Sequence, residues 1–203
     1  MNSIIVVPGA ASGLKKSMID EKLYLFRKAS IMVTGFEVPL DIASYCIKKA
    51  KSEGLKTILN PAPYFDIDNT NFKLVDYLTP NEHEASSLTN IEIQNIDDAR
   101  VAGRRICELG VGTSIITMGE KGVLCTTNSD DHDGLYIPSY KLKEKVIDTV
   151  GAGDAFNGAF ATAISEDMGL EDALNFANKA ASLSVRKSGA ALSAPFREEI
   201  NQV

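Results

Sequence analysis

The stretch Asp148-Thr149-Val150-Gly151-Ala152-Gly153-Asp154-Ala155-Phe156 decides how the rest of the chain is read. It places a carboxylate directly behind a turn of small residues, and an apolar helical pattern runs on from about 154 to 165. Glycines at 151 and 153 put no side chain in a ligand's way, so backbone N–H groups can close round an anion. The helix that follows adds the positive end of its dipole and the unpaired donors of its first turn. An anion cradle beside a fixed Asp suits phosphoryl transfer. Gly151, Ala152 and Gly153 would steady charge on a phosphate, and Asp154 would accept the proton of an attacking hydroxyl. The same residues also fit a plain strand-to-helix connection with Asp154 as the cap.

Working outward, the chain alternates short β-rich runs with amphipathic helical patterns. Strands are predicted at 3–7, 31–34, 56–59, 76–78 and 114–117, with a hairpin of 122–127 and 135–138 and a further strand near 143–147. Helices are predicted at 15–28, at 40–53 (stopped by Gly54), at 82–88 with Asn81 as cap, and at 97–109 (closed by Gly110). Two more, after Gly153 and over 170–185, close the chain. This alternation implies an α/β fold: a doubly wound, mainly parallel sheet flanked by helices, with sites at the carboxyl ends of its strands. No linker or repeat interrupts it, so 1–203 is expected to form one nucleotide-binding domain.

Composition fits that class. Of 203 residues, 44% are hydrophobic and 24% charged, which excludes a disordered chain. A net charge of −6 gives no footprint for nucleic acid, so phosphate affinity must come from local donors. Cys46, Cys107 and Cys125 are odd in number and widely spaced, reading as reduced thiols. Neither a leader pattern nor an apolar run near 18 residues is evident, so no membrane partner is expected and the cytoplasm is the default compartment.

Further motifs occur in a fixed order: Val7-Pro8-Gly9-Ala10, Glu37-Val38-Pro39-Leu40, Asn60-Pro61-Ala62-Pro63, Thr79-Pro80-Asn81-Glu82-His83-Glu84-Ala85, Thr117-Met118-Gly119-Glu120-Lys121-Gly122 and Lys187-Ser188-Gly189-Ala190. With Asp-Thr-Val-Gly-Ala-Gly-Asp, this series resembles the ribokinase-like (PfkB) family of carbohydrate kinases across almost the whole chain. Asn-Pro-Ala-Pro is most similar to the ribokinase branch. The family normally opens with a further N-terminal region carrying a Gly-Gly sugar motif and a lid. No such region is evident here, so the chain is expected to correspond to the family's last two-thirds, with an exposed sheet edge or apolar surface.

The resemblance implies ATP as co-substrate, the primary hydroxyl of a small sugar, the pentose D-ribose, as acceptor and Asp154 as general base. The alternatives are fructose, deoxyribose or a nucleoside as acceptor, or a nucleotide-binding remnant without catalysis. Asn81 would meet the nucleotide phosphates, and Glu84 would organise Mg²⁺ through water; read alone, Asn81 and Glu84 equally suit a capping pair. Thr117, Gly119, Gly122 and Asn178 would border the nucleotide, Asn178 being otherwise an ordinary helix-surface amide. Glu37 would bind sugar hydroxyls, its alternative being an acid at a helix start ahead of Pro39. A K⁺ ion is implied beside the cradle, held by the side chains of Asp148 and Ser193 and the carbonyls of Val150, Ser184, Lys187 and Gly189; the Lys187 charge would have to point away from it. Asn60-Pro61-Ala62-Pro63 reads as architectural. Asp130-Asp131-His132-Asp133 reads as a solvated hairpin tip in preference to a metal site. Whether the protein forms a homo-oligomer stays open.

Overall fold

Short β-branched runs become neighbouring parallel strands where a helix carries the chain back, as between the first and second strands and between the third and fourth. The last strands pair antiparallel without one. The computed structural model describes residues 7–65, 72–129, 134–141 and 145–203. Its strands are β1 Ile31–Thr34, β2 Lys56–Leu59, β3 Tyr77–Leu78, β4 Thr113–Thr117, β5 Val123–Thr127 and β6 Leu135–Ile137. They form a six-stranded sheet in the order β1-β2-β3-β4-β5-β6. The first four are parallel, in register through Val33↔Ile58, Leu59↔Leu78 and Leu78↔Ser114; β5 and β6 are antiparallel, with Ile115 opposite Cys125.

The helices are α1 Lys16–Asp20, α2 Leu23–Phe26, α3 Leu40–Ser52, α4 Glu82–Thr89, α5 Ile96–Glu108, α6 Ala152–Ser165, α7 Leu170–Ser184 and α8 Arg197–Asn201. Successive strand residues point to opposite faces, so each apolar pair serves two cores. Leu59, Ile116 and Leu124 pack with Ala43, Ile47, Ala102 and Ile106 of α3 and α5. Their neighbours Ile58, Ile115 and Val123 pack with Phe156, Phe160 and Leu174 of α6 and α7. Phe160 meets the Tyr77 ring edge to face at 5.2 Å, fixing α6 against β3. The mainly parallel sheet covered on both faces is the architecture that the alternation predicts.

Four differences from the sequence reading have physical reasons. The helix expected over 15–28 is two short pieces, broken where Lys22 leaves helical geometry (φ −110°, ψ 11°). None of its residues is fully buried, so no packed face sustains a longer helix. Second, α6 begins at Ala152, earlier than the expected 154, because Gly151 turns the chain at φ +79°. Third, a 3₁₀ turn at Ala191–Ser193 and α8 follow α7, both too short to carry a periodic signal. Fourth, residues 145–147 form no strand. The strand expected at 3–7, except Val7, and the cluster 130–133 lie outside the described residues, as do 143 and 144 of the strand expected near 143–147.

Gly54 (φ +82°) ends α3 and Gly110 (φ +109°) ends α5, as their positions predict. Among the described residues the sheet's first strand, β1, has a neighbour on one side only, and its Val33 is 46% exposed. Among the described residues, no helix is long and apolar enough to cross a membrane.

Candidate active site

The parallel strands all point their carboxyl ends to one edge of the sheet, and the loops leaving them converge there. A cleft of about 220 Å³ opens at that edge, lined by Glu37 after β1, Asn60 and Ala62 after β2, and Thr79 after β3. Asn81 and Glu84 at the start of α4, Thr117 at the end of β4, and Gly153, Asp154 and Asn157 of α6 complete it. Six residues singled out from the sequence therefore share one cavity: Glu37, Asn81, Glu84, Thr117, Gly153 and Asp154.

Gly151 is the N-cap of α6 and makes no side-chain cap, leaving the first-turn donors to other partners. Asp154 is the third helical residue, so it is not the cap that its sequence context allows. The Ala152 N–H donates to Thr149 O at 3.3 Å, and the first helical bond runs from Ala155 N–H to Gly151 O at 2.8 Å. The N–H groups of Gly153 and Asp154 between them have no acceptor among the described residues. A Cβ built on Gly153 would meet nothing within 4 Å, so space is open at this turn. Gly151 is different: a Cβ there would lie 3.0 Å from Ala190 Cα, so the glycine also permits close packing on the C-terminal segment. Asp154 stands on a crest, since it also borders a larger groove of about 660 Å³ running between α6, α7 and residues 190–200.

The start of α4 is built in the opposite way. Asn81 Oδ1 accepts from Glu84 N–H at 2.9 Å, and Glu84 Oε2 accepts from Asn81 N–H at 2.8 Å. This reciprocal box is the capping pair that the sequence allowed, and it turns both side chains toward the cleft's wall. Glu84 is buried, and that burial pushes its carboxyl above the usual range, helped by the nearby Glu37 charge and opposed by the Asn81 N–H. No Lys or Arg pairs with Glu84 among the described residues. Glu37 is exposed in the β1–α3 loop and folds back against Gly35, where a Cβ would collide with its Oε2.

Other expected residues do not line this cleft. Gly119 takes φ +53° and Gly122 φ +105°; a Cβ on Gly122 would collide with the Ile137–Ser139 backbone, which gives that glycine a packing reason of its own. Asn178 is buried, so it is no ordinary surface amide; its Nδ2 donates to Pro138 O at 2.7 Å and ties α7 to the exit of β6. Asp148 joins two loops: its Oδ1 accepts from Val150 N–H at 3.0 Å and its Oδ2 from Gly189 N–H at 3.1 Å. Those two N–H groups hold its carboxyl below the usual range, Val150 contributing more. Ser184 and Ser193 are buried and donate to Ala181 O (2.8 Å) and Ala190 O (2.7 Å). Lys187 sends its ammonium to Glu199 at 3.1 Å.

Comparison with known proteins gives this arrangement its family. Residues 1–197 match the pfkB family carbohydrate kinases. The chain belongs to that family. Ribokinase from Staphylococcus aureus is 35% identical over 204 residues, covering 100% of this chain and 65% of the relative. Deoxyribokinase from Salmonella typhi is 33% identical, covering 99% of this chain and 64% of the relative. The structure of Arabidopsis thaliana ribokinase complexed with ribose and ATP superposes with a TM-score of 0.91 at 32% identity, covering 100% of this chain and 64% of that one. The chain thus spans just under two-thirds of the length of the relatives it matches.

Within this pfkB-family cleft, sequence reading missed four lining residues: Asn60, Ala62, Thr79 and Asn157. Asn60 and Ala62 sit in the segment read as architectural, yet Asn60 reaches across to donate to Thr79 O at 2.8 Å. Asn157 carried a usable signal, because three residues beyond Asp154 it must share the same helix face.

Proposed function

We propose that this chain supplies the nucleotide site and general base of a ribokinase-type kinase, which transfers the γ-phosphate of ATP to the primary hydroxyl of D-ribose. The observation that carries the reading is the open first turn of α6, with two N–H groups lacking acceptors beside an exposed Asp154 in a cleft shared with Glu37, Asn81 and Glu84. Asp154 accepts the hydroxyl proton as the sugar oxygen bonds to the γ-phosphorus and the bond to the ADP oxygen breaks. Gly151, Ala152 and Gly153 form the anion cradle expected from the sequence. With the Ala152 N–H engaged by Thr149 O, its open donors, the N–H groups of Gly153 and Asp154, stabilise the charge on the transferring phosphoryl group. Asn81, Thr117, Gly119, Gly122 and Asn178 border the nucleotide, and Glu37 hydrogen-bonds the sugar hydroxyls.

The residues present fit a Mg²⁺ ion. Glu84 is a buried carboxylate with no cationic side-chain partner among the described residues, and Mg²⁺ characteristically takes one or two carboxylates while keeping waters and phosphate oxygens. Bound there, it would neutralise phosphate charge. The K⁺ reading has Asp148 and Ser193 with the carbonyls of Val150, Ser184, Lys187 and Gly189; Lys187 points its charge at Glu199, which leaves its carbonyl side free of that charge. The compartment is the cytoplasm.

A second reading starts from the matched share: this chain covers 65% of the Staphylococcus aureus relative, and the family resemblance puts a sugar motif and a lid in the remainder. Taken alone, these residues would then bind nucleotide without transferring phosphate efficiently. The similarity to a deoxyribokinase also brings 2-deoxyribose into consideration as acceptor. The test is ATP-dependent phosphorylation of ribose and deoxyribose by the purified chain with Mg²⁺ and K⁺, beside Asp154→Asn. Turnover that the substitution lowers by about 10²–10⁴-fold supports the kinase. ATP raising the melting temperature without turnover supports the nucleotide-binding reading. Turnover unaffected by Asp154→Asn would overturn the role given to Asp154.

A further inference from the structure

We infer that a buried relay from Thr79 through Asn157 positions the open first turn of α6; this rests on the kinase reading above. Thr79 and Asn157 are both buried at the floor of the cleft. Thr79 Oγ1 donates to Asn157 Oδ1 at 2.7 Å, and Asn157 Nδ2 donates to Gly153 O at 3.0 Å. The directions are forced: a carbonyl only accepts, so the Asn157 amide nitrogen must face Gly153 and its oxygen must face the hydroxyl. Thr79 is itself fixed on the sheet, its N–H on Leu59 O at 2.9 Å and its carbonyl on Asn60 Nδ2 at 2.8 Å.

The Gly153 carbonyl belongs to the same planar peptide unit as the Asp154 N–H, and in a trans peptide the two point in opposite directions. Holding the carbonyl therefore aims the free Asp154 N–H, and the bond to the carbonyl polarises that donor further. The turn needs such a hold. Gly151 gives it no side-chain cap, and Gly153 has no side chain to pack. Thr79 and Asn157 are positioning residues: they act on phosphate through the Gly153–Asp154 peptide.

The test compares Thr79→Val, which deletes the hydroxyl at equal shape, with Thr79→Ser, which keeps it, measuring ATP and ADP affinities in Mg²⁺ by calorimetry. Thr79→Val is expected to weaken ATP relative to ADP by about tenfold, the worth of one hydrogen bond, with Thr79→Ser restoring the ratio. A general loss of structure would weaken both nucleotides alike. Asn157→Asp, which can accept from Thr79 but cannot donate to Gly153 O, is expected to give the same shift and serves if Thr79→Val does not fold. An unchanged ATP/ADP ratio in these variants, while Gly153→Ala lowers ATP affinity, overturns the relay and leaves the kinase reading standing. If the unmodified chain binds neither nucleotide, the kinase reading fails, and amide exchange decides the relay. Faster exchange at Ala155 in Thr79→Val, with Phe160–Ile164 unchanged, supports the relay; unchanged exchange at Ala155 overturns it.

Discussion

Two helices begin at the cleft, and they begin in opposite ways. The start of α4 is closed by its own side chains, Asn81 and Glu84 satisfying each other's N–H groups. That of α6 has a glycine N-cap and leaves the Gly153 and Asp154 donors open. The first arrangement stabilises a helix without a ligand; the second leaves donors with no acceptor among the described residues, open to water or a ligand. Similar short polar sequences thus divide the labour: α4 is a finished wall that presents a carboxylate, and α6 an unfinished one that presents positive dipoles.

The contrast can be broken by substitution. The largest effect on stability is expected for Gly151→Val, because a β-branched residue would be forced to φ +79° with its Cβ 3.0 Å from Ala190 Cα. The strain is about 1–3 kcal/mol, a fall of several degrees in melting temperature with loss of any ATP-induced shift; an unaltered melting curve would refute it. Asn81→Ala is expected to cost about 1 kcal/mol by removing the box, readable as a lower urea midpoint. Gly153→Ala should move stability the other way, by about 0.5–1 kcal/mol, since it sits in a helical turn with no neighbour to crowd. The same methyl intrudes on the open donors, so ATP affinity should fall while the apo-protein is stabilised. Both quantities moving together would show the two helix starts to be alike.

The smallest effect concerns Glu84. Its carboxyl is raised in the folded state by burial, so its favourable contribution is complete below the unfolded value of 4.5 and is lost as pH rises through the higher folded value. Glu84→Gln keeps an acceptor for the Asn81 N–H and removes the titration. Urea midpoints measured from pH 4 to 7 should therefore fall less with rising pH in the variant. Parallel curves would argue against a buried, ionisable Glu84.

The long elements were legible in sequence because one pattern served both periodicity and punctuation: α3 and α5 end at glycines that the backbone holds at positive φ. The segment holding α1 and α2 misled, since apolar spacing at 18, 23 and 26 suggests a helix but no packed face exists to bury it. The start of α6 was misplaced because Gly153, a poor helix former, suggests that the turn runs on to it, whereas Gly151 alone makes the turn and the helix starts at Ala152. At the site, charged and motif residues were visible individually. Thr79 was not, because a neutral hydroxyl acquires meaning only when the fold brings the end of β3 against α6, 78 residues further on; Asn157 was legible only through its spacing from Asp154. Asn178 shows the same limit: its burial against Pro138 depends on how α7 crosses β6.

Asp148 has a consequence for anyone who handles the protein. One carboxylate fastens the turn before α6 to Gly189, 41 residues further along the chain. The C-terminal tail is therefore a lever on the glycine turn. A purification tag that tugs at it, a protease that clips ahead of Gly189, or acid that neutralises Asp148 would each release the same clasp at a distance.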